Sequence, residues 1–151
     1  MVIPFDDEHM SIAILRSRAL AGLQAPEVAV EVHVGNGLPA FSLVGLPDAE
    51  VREARDRVRA AILSSGFDFP ARRITVNLAP ADLPKESGRF DLPIALGILI
   101  AAGVLDAPGL DRFEFAGELS LTGSLRRVRG ALPMALGARE GGRSFVLPVE
   151  S

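Results

Sequence analysis

Residues 74–99 read ITVNLAPADLPKESGRFDLPIALGIL, and three regimes follow one another in that stretch. Ile74, Val76 and Leu78 alternate with Arg73, Thr75 and Asn77, the period-two signature of a strand with one buried face. A polar loop from Ala79 to Arg89 comes next. The segment after it is apolar nearly all round, with Asp91 placed as its cap, Pro93 tolerated in its first turn and Gly103 as its stop. A helix without a polar face belongs at the centre of a fold.

Working outward, the same logic marks the neighbours. Glu27 to Val34 alternates completely, with four valines on one face, and Gly35-Asn36-Gly37 then tolerates positive φ, so Ala40 to Val44 is expected as its hairpin partner. Ile12 to Leu20 reads as an earlier strand of the same sheet. Asp48 is placed to cap a helix of about four turns that Gly66 ends. Downstream, Phe113 to Leu119 and Leu121 to Val128 read as strands, Leu132 to Glu140 as a helix and Phe145 to Leu147 as a last strand. The order β-β-β-α-β-α-β-β-α-β predicts an α/β fold, more narrowly an α+β two-layer sheet with helices mostly on one face. Residues 1–9 fit neither period and are expected to be a disordered extension ahead of one domain over residues 10–151.

Composition narrows the function classes. The chain has 151 residues, 48% of them hydrophobic, enough for one sizeable core. No apolar run reaches the eighteen residues of a membrane span, and the acidic start lacks the basic region of a secretory signal. The formal charge of −3 is supplied by Asp6, Asp7 and Glu8, and the remainder balances, so no general electrostatic grip on nucleic acid is predicted. There is no cysteine. The two histidines, His9 and His33, have no thiols to join them in a zinc site, and His33 reads as a surface strand residue.

The only lysine, Lys85, lies between Pro84 and Glu86 and not in a glycine-rich phosphate loop, so ATP hydrolysis by this stretch is not expected. Gly35-Asn36-Gly37 leads into a strand, which makes it turn chemistry and not a dinucleotide fingerprint. Asp82, Glu86 and Asp91 are close in sequence, but a capping Asp91 and a solvated loop account for them.

Three stretches then carry a family resemblance: GLPAFSLVGLPDAEVREARDRVRAAI from Gly37, the stretch from Ile74 quoted above, and GELSLTGSLRRVRGALPMA from Gly117. From about Met10 to the end, the chain resembles the N-terminal domain of the ComM/YifB family of magnesium-chelatase-like AAA+ proteins. The resemblance implies a fold like the proteolytic domain of Lon, the ribosomal protein S5 domain 2-like architecture, truncated here at its C-terminal end. It also implies a nucleotide site downstream, with ATP and Mg as cofactors of the longer protein and none in this segment. A hexameric homo-oligomer, a cytoplasmic location and a role in branch migration of DNA during natural transformation follow from it too.

Lon-type proteases pair a serine in a PKDGPSAG-like segment with a lysine on the helix after a Gly-Glu hairpin. Laid without gaps on Pro84-Lys85-Glu86, the serine position falls on Arg89; laid on Gly117-Glu118, the lysine position falls on Leu132. Neither side chain can do the job, so no catalytic residue is expected. A small alignment shift leaves one alternative, a residual Ser-Lys hydrolase of Ser87 and Lys85, against which stands the polarity of their loop. For binding, Arg126, Arg127 and Arg129 are candidate contacts to DNA or a neighbouring subunit, together with Arg89 and Lys85; charge protecting an edge strand is the alternative. Arg52, Arg55 and Arg59 form one helical stripe that reads either as a subunit contact or as a solvated face in which Asp48, Glu53 and Asp56 pair with Arg52 and Arg57. A purely oligomerising or regulatory domain is the remaining alternative.

Overall fold

The computed structural model describes the backbone of residues 2–4, and residues 11–45 and 47–151 in full. Its strands are β1 (Val2–Pro4), β2 (Ser11–Arg18), β3 (Glu27–Gly35), β4 (Ala40–Val44), β5 (Arg73–Ala79), β6 (Phe113–Phe115), β7 (Glu118–Leu119), β8 (Leu125–Arg126) and β9 (Ser144–Val146). The α-helices are α1 (Ala49–Arg52), α2 (Ala54–Ser64), α3 (Asp91–Ala101) and α4 (Ala131–Glu140). One mixed sheet runs in the order β4-β5-β3-β2-β6-β9 with β1 on β2, and β7 and β8 form a separate hairpin. This is the α+β two-layer arrangement that the sequence pattern predicts.

The alternation in β3 does what its period requires. Val28, Val30, Val32 and Val34 are all buried, and their antiparallel partners across β2 and β5 continue one apolar face through Ala13, Leu15, Ile74, Val76 and Leu78. The all-apolar α3 lies on that face, as its composition demands, and α2 packs on α3. Gly97 lets α3 approach closely, since a Cβ there would stand 2.6 Å from Val32 Cγ2.

Several expectations are corrected. β4 is not the hairpin partner of β3 but pairs in parallel with β5 at the sheet edge. The β3 edge in question is occupied by β5, whose seven-residue ladder offers more than the five residues of β4. Val2–Pro4, expected in a disordered extension, adds antiparallel to the free edge of β2; three residues are too few to display a period. Residues 1 and 5–9 of that expectation lie outside the described residues. The helix after Asp48 is divided at Glu53, where Asp56 N–H turns to the Glu53 carbonyl at 3.1 Å. The strands expected over 113–119 and 121–128 shrink to β6, β7 and β8.

The helices lie mostly on one face, as expected, and α4 is the exception. Phe115 joins the core under α3, whereas Phe145, in register with Glu114, packs with Met134 of α4 in a second cluster. α4 therefore covers the opposite face at the β6–β9 end. Between α4 and the sheet, Glu114 is wholly buried and accepts Arg18 Nε at 2.8 Å, Arg18 Nη2 at 3.0 Å and Arg143 Nε at 2.9 Å. Arg143 also reaches Glu27, which accepts Arg16 at 3.1 Å. Arg16, Arg18 and Arg143 are thus each paired with Glu27 or Glu114.

Candidate functional site

Three loops meet at one end of α3. The segment before α1 pairs with the loop after β5, through a bridge between Pro47 and Lys85 and through Asp48 N–H to the Lys85 carbonyl at 3.0 Å. The strand leading into β7 clips onto the start of α3, with Gly117 N–H to the Arg89 carbonyl at 2.9 Å and Leu92 N–H to the Gly117 carbonyl at 3.0 Å. A cleft of about 410 Å³ opens between these loops. Asp48, Glu50, Glu86 and Glu118 line it, and so do Arg89, Arg127 and Arg129, with Ser87 and Gly88 between them.

The two side chains that a hydrolase would need face different partners. Lys85 was expected in a polar, solvated loop; it is 1% exposed. Its Nζ donates to the Gly45 carbonyl at 2.6 Å and to the Pro80 carbonyl, a stitch that holds the crossing of two loops. Burial lowers its pKa, against a smaller opposing pull from Asp82. Gly45 is required at this crossing, because at φ 108 any Cβ would collide with the backbone of Leu78. The Ser87 hydroxyl accepts from Arg89 Nε at 3.1 Å. No hydrogen bond joins Lys85 to Ser87 among the described residues. Leu132, where a base would otherwise stand, is 69% exposed on α4.

Ser87 has φ 68 and ψ 177, a region that is essentially glycine-only and costs about 1–3 kcal/mol. The sequence carried no sign of it. The turn it makes starts the short helical turn Gly88–Phe90 that runs into α3 and aims the Arg89 side chain inward.

Asp91 is also corrected. It is the first residue of α3 and not its cap, and it is completely buried. Its carboxylate accepts Arg57 Nε at 2.7 Å, Arg57 Nη2 at 3.1 Å and the Leu119 N–H at 3.0 Å, so one side chain ties α2, α3 and β7 together beneath the cleft. Burial raises the Asp91 carboxyl above its ordinary value, and the Arg57 and Leu119 hydrogen bonds oppose that. The Arg57 guanidinium is raised in turn, chiefly by its hydrogen bond to Asp91. The clue in the sequence was that an acid at the first position of an all-apolar helix has nowhere solvated to go. Asp48 caps α1 as expected, through Val51 N–H at 2.8 Å. Of the ion pairs expected along the helix, Glu53–Arg57 is formed at 3.5 Å, and no other is present among the described residues.

The arginine candidates separate into three sets. Arg126, Arg127 and Arg129 are exposed, and the last two line the cleft. Arg89 and Lys85 are buried and cannot serve as open contacts to DNA: Arg89 is 4% exposed, and its Nη1 donates to the Arg129 carbonyl at 3.1 Å and toward Met134 Sδ at 3.3 Å. Burial lowers the Arg89 pKa; Glu86 opposes this and Arg129 adds to it. Arg52, Arg55 and Arg59 are exposed, and Arg59 lies over the Phe69 ring at 5.1 Å.

Among the described residues no group of three or more His, Cys, Asp and Glu could hold a metal ion, and no helix is long and apolar enough to cross a membrane. Residues 30–151 match the family described as subunit ChlI of Mg-chelatase. The chain is 59% identical over 138 residues to competence protein ComM of Haemophilus influenzae, covering 91% of this chain and 27% of that protein. It is 54% identical over 142 residues to YifB of Salmonella typhimurium, covering 94% of this chain and 28% of the relative. It is also 54% identical over 138 residues to YifB of Escherichia coli, covering 91% and 27%. The chain thus spans little more than a quarter of the length of these relatives.

Proposed function

The chain belongs to the family of subunit ChlI of Mg-chelatase, and from that premise we propose that it is the non-catalytic N-terminal module of a ComM-type AAA+ ATPase in the bacterial cytoplasm. In this reading ATP and Mg act in the remainder of a longer, hexameric protein that drives branch migration of DNA during natural transformation. The module serves assembly of that motor or guidance of DNA into it.

The observation that carries the reading is the separation of Ser87 from the only lysine. Lys85 spends its ammonium hydrogens on two backbone carbonyls, and the serine hydroxyl faces a guanidinium, which cannot remove its proton. The exposed Arg126, Arg127 and Arg129 supply contacts instead, and no carboxylate pairs with them among the described residues. The four carboxylates that share the cleft favour protein contacts there over phosphates.

The test uses the longer protein with and without residues 11–151. Retained ATP turnover with lost hexamers or lost branch migration is expected. Unchanged assembly and unchanged DNA processing after the deletion would overturn the reading.

A further inference from the structure

The sheet ends at β4, and no described strand covers the outer edge of that strand. The register against β5 fixes which backbone groups are left over. Ala40 N–H donates to the Arg72 carbonyl at 3.3 Å, and the parallel ladder pairs Ala40 with Arg73 through Val44 with Asn77. Backbone groups alternate in direction along a strand, so Ala40, Ser42 and Val44 point at β5, and the N–H and C=O of Phe41 and Leu43 point outward. Edges of this kind are ordinarily guarded by charge, proline or a bulge. The stretch Ala40-Phe41-Ser42-Leu43-Val44 holds neither a charge nor a proline.

α2 sets cations along this edge. Arg57 turns to Asp91 of α3, and Arg59 lies about 200° further round the helix, on the side away from α3. There its guanidinium covers the Phe69 ring at 5.1 Å, and Phe69 meets Phe41 of β4 at 5.7 Å between ring centroids. Arg55 is one turn earlier on the same side, its Nε directed to the Arg52 carbonyl at 3.4 Å. Both side chains are exposed, and neither forms an ion pair among the described residues, although Asp56 and Asp68 are near in the chain.

We propose that β4 and the α2 arginines form a docking edge for an acidic extended segment of a partner protein. The segment adds to the sheet as a further strand through the Phe41 and Leu43 backbone, and its carboxylates meet Arg55 and Arg59. A second copy fits poorly, because antiparallel pairing of two β4 strands would bring both sets of arginines to one face of the junction, like charge against like. A nucleic acid would leave the outward carbonyls facing its phosphates. The inference gives chemistry to the assembly role proposed above and does not depend on the state of Ser87.

The experiment is an amide NMR titration of the chain with acetyl-Glu-Val-Glu-Val-Glu-amide, its Lys-Val-Lys-Val-Lys counterpart and a single-stranded DNA pentamer. The acidic peptide is expected to bind roughly tenfold or more tightly than the basic one, because its charge-assisted hydrogen bonds are lost in the exchange. The Phe41 and Leu43 N–H signals should move most, while Ala40, Ser42 and Val44, already bonded to β5, change little. R55A/R59A, with both changes on the surface, is expected to remove the preference. N-methylation of one alternate set of peptide amides should abolish binding, and methylation of the other set should be tolerated. Equal binding of the two peptides, largest shifts away from β4, tolerance of both methylated sets, or tighter binding of DNA overturns the proposal. So does self-association of the chain through the same two amides, or no shift at about 10 mM peptide. None of these readouts uses hexamers or branch migration, so this result and the deletion result can fail separately.

Discussion

Two buried arginines divide the molecule. Arg18, beneath α4, meets the sealed carboxylate of Glu114 in a two-point pair, and Arg143 completes the shell. Arg89, at the start of α3, is buried as deeply and meets a hydroxyl, a carbonyl and a thioether. The first arrangement is finished within the chain and locks α4 to the sheet. The second is left open toward a cleft. The two differ in their hydrogen bonds to carboxylates: Arg18 has Glu114, whereas Arg89 has none among the described residues and feels Glu86 only through space.

The sharpest way to break the comparison is Glu114→Ala. It strands Arg18 and Arg143, and a loss of about 3–5 kcal/mol is expected in urea unfolding; a loss under about 1 kcal/mol would show that the network is ornamental. Replacing the cations themselves comes next. Arg18→Met is expected to cost roughly 3 kcal/mol, because Glu114 keeps only Arg143, whereas Arg89→Met removes a buried charge that has no hydrogen-bonded carboxylate and should stay within about 1 kcal/mol of the parent or exceed it. Equal losses would erase the distinction.

Asp91 lies between the two cases, paired on one side and clipped to Leu119 N–H on the other. Its folded carboxyl is held above the ordinary 3.8, so the folded chain binds this proton more tightly than the unfolded chain does. That contribution is complete below about 3.8 and is lost as pH rises through the folded value. Urea midpoints across this acidic window should therefore fall for the parent relative to Asp91→Asn as pH rises; a relative gain would contradict the assignment.

The smallest expected effect is at Ser87. Glycine adopts φ 68 and ψ 177 without a Cβ penalty, so Ser87→Gly should gain roughly 0.5–1 kcal/mol and raise the thermal midpoint. A destabilised variant would mean that the hydroxyl's bond to Arg89 outweighs the strain.

What was legible in the sequence follows from periodicity. The valines of β3, the alternation of β5 and the all-apolar α3 each declare their environment, and together they fix the layer that holds the core. The position of β4 was not legible, because five half-apolar residues fit any edge and the choice depends on what β5 already occupies. At the cleft, the polar loop from Ala79 to Arg89 was legible, but the segments around Gly117 and Arg127 read as strand, and the state of the side chains was not legible. Lys85 looks solvated among Pro84, Glu86 and Ser87, and only the crossing with Gly45 buries it. Asp91 looks like a cap because its partner, Arg57, is thirty-four residues away.

The central claim is that Ser87 is not a nucleophile. Incubation of the chain with a fluorophosphonate probe, beside Ser87→Ala, tests it at the atom concerned. The expected result is no covalent adduct on either protein at neutral pH; a stoichiometric adduct on the parent that Ser87→Ala abolishes would contradict the account.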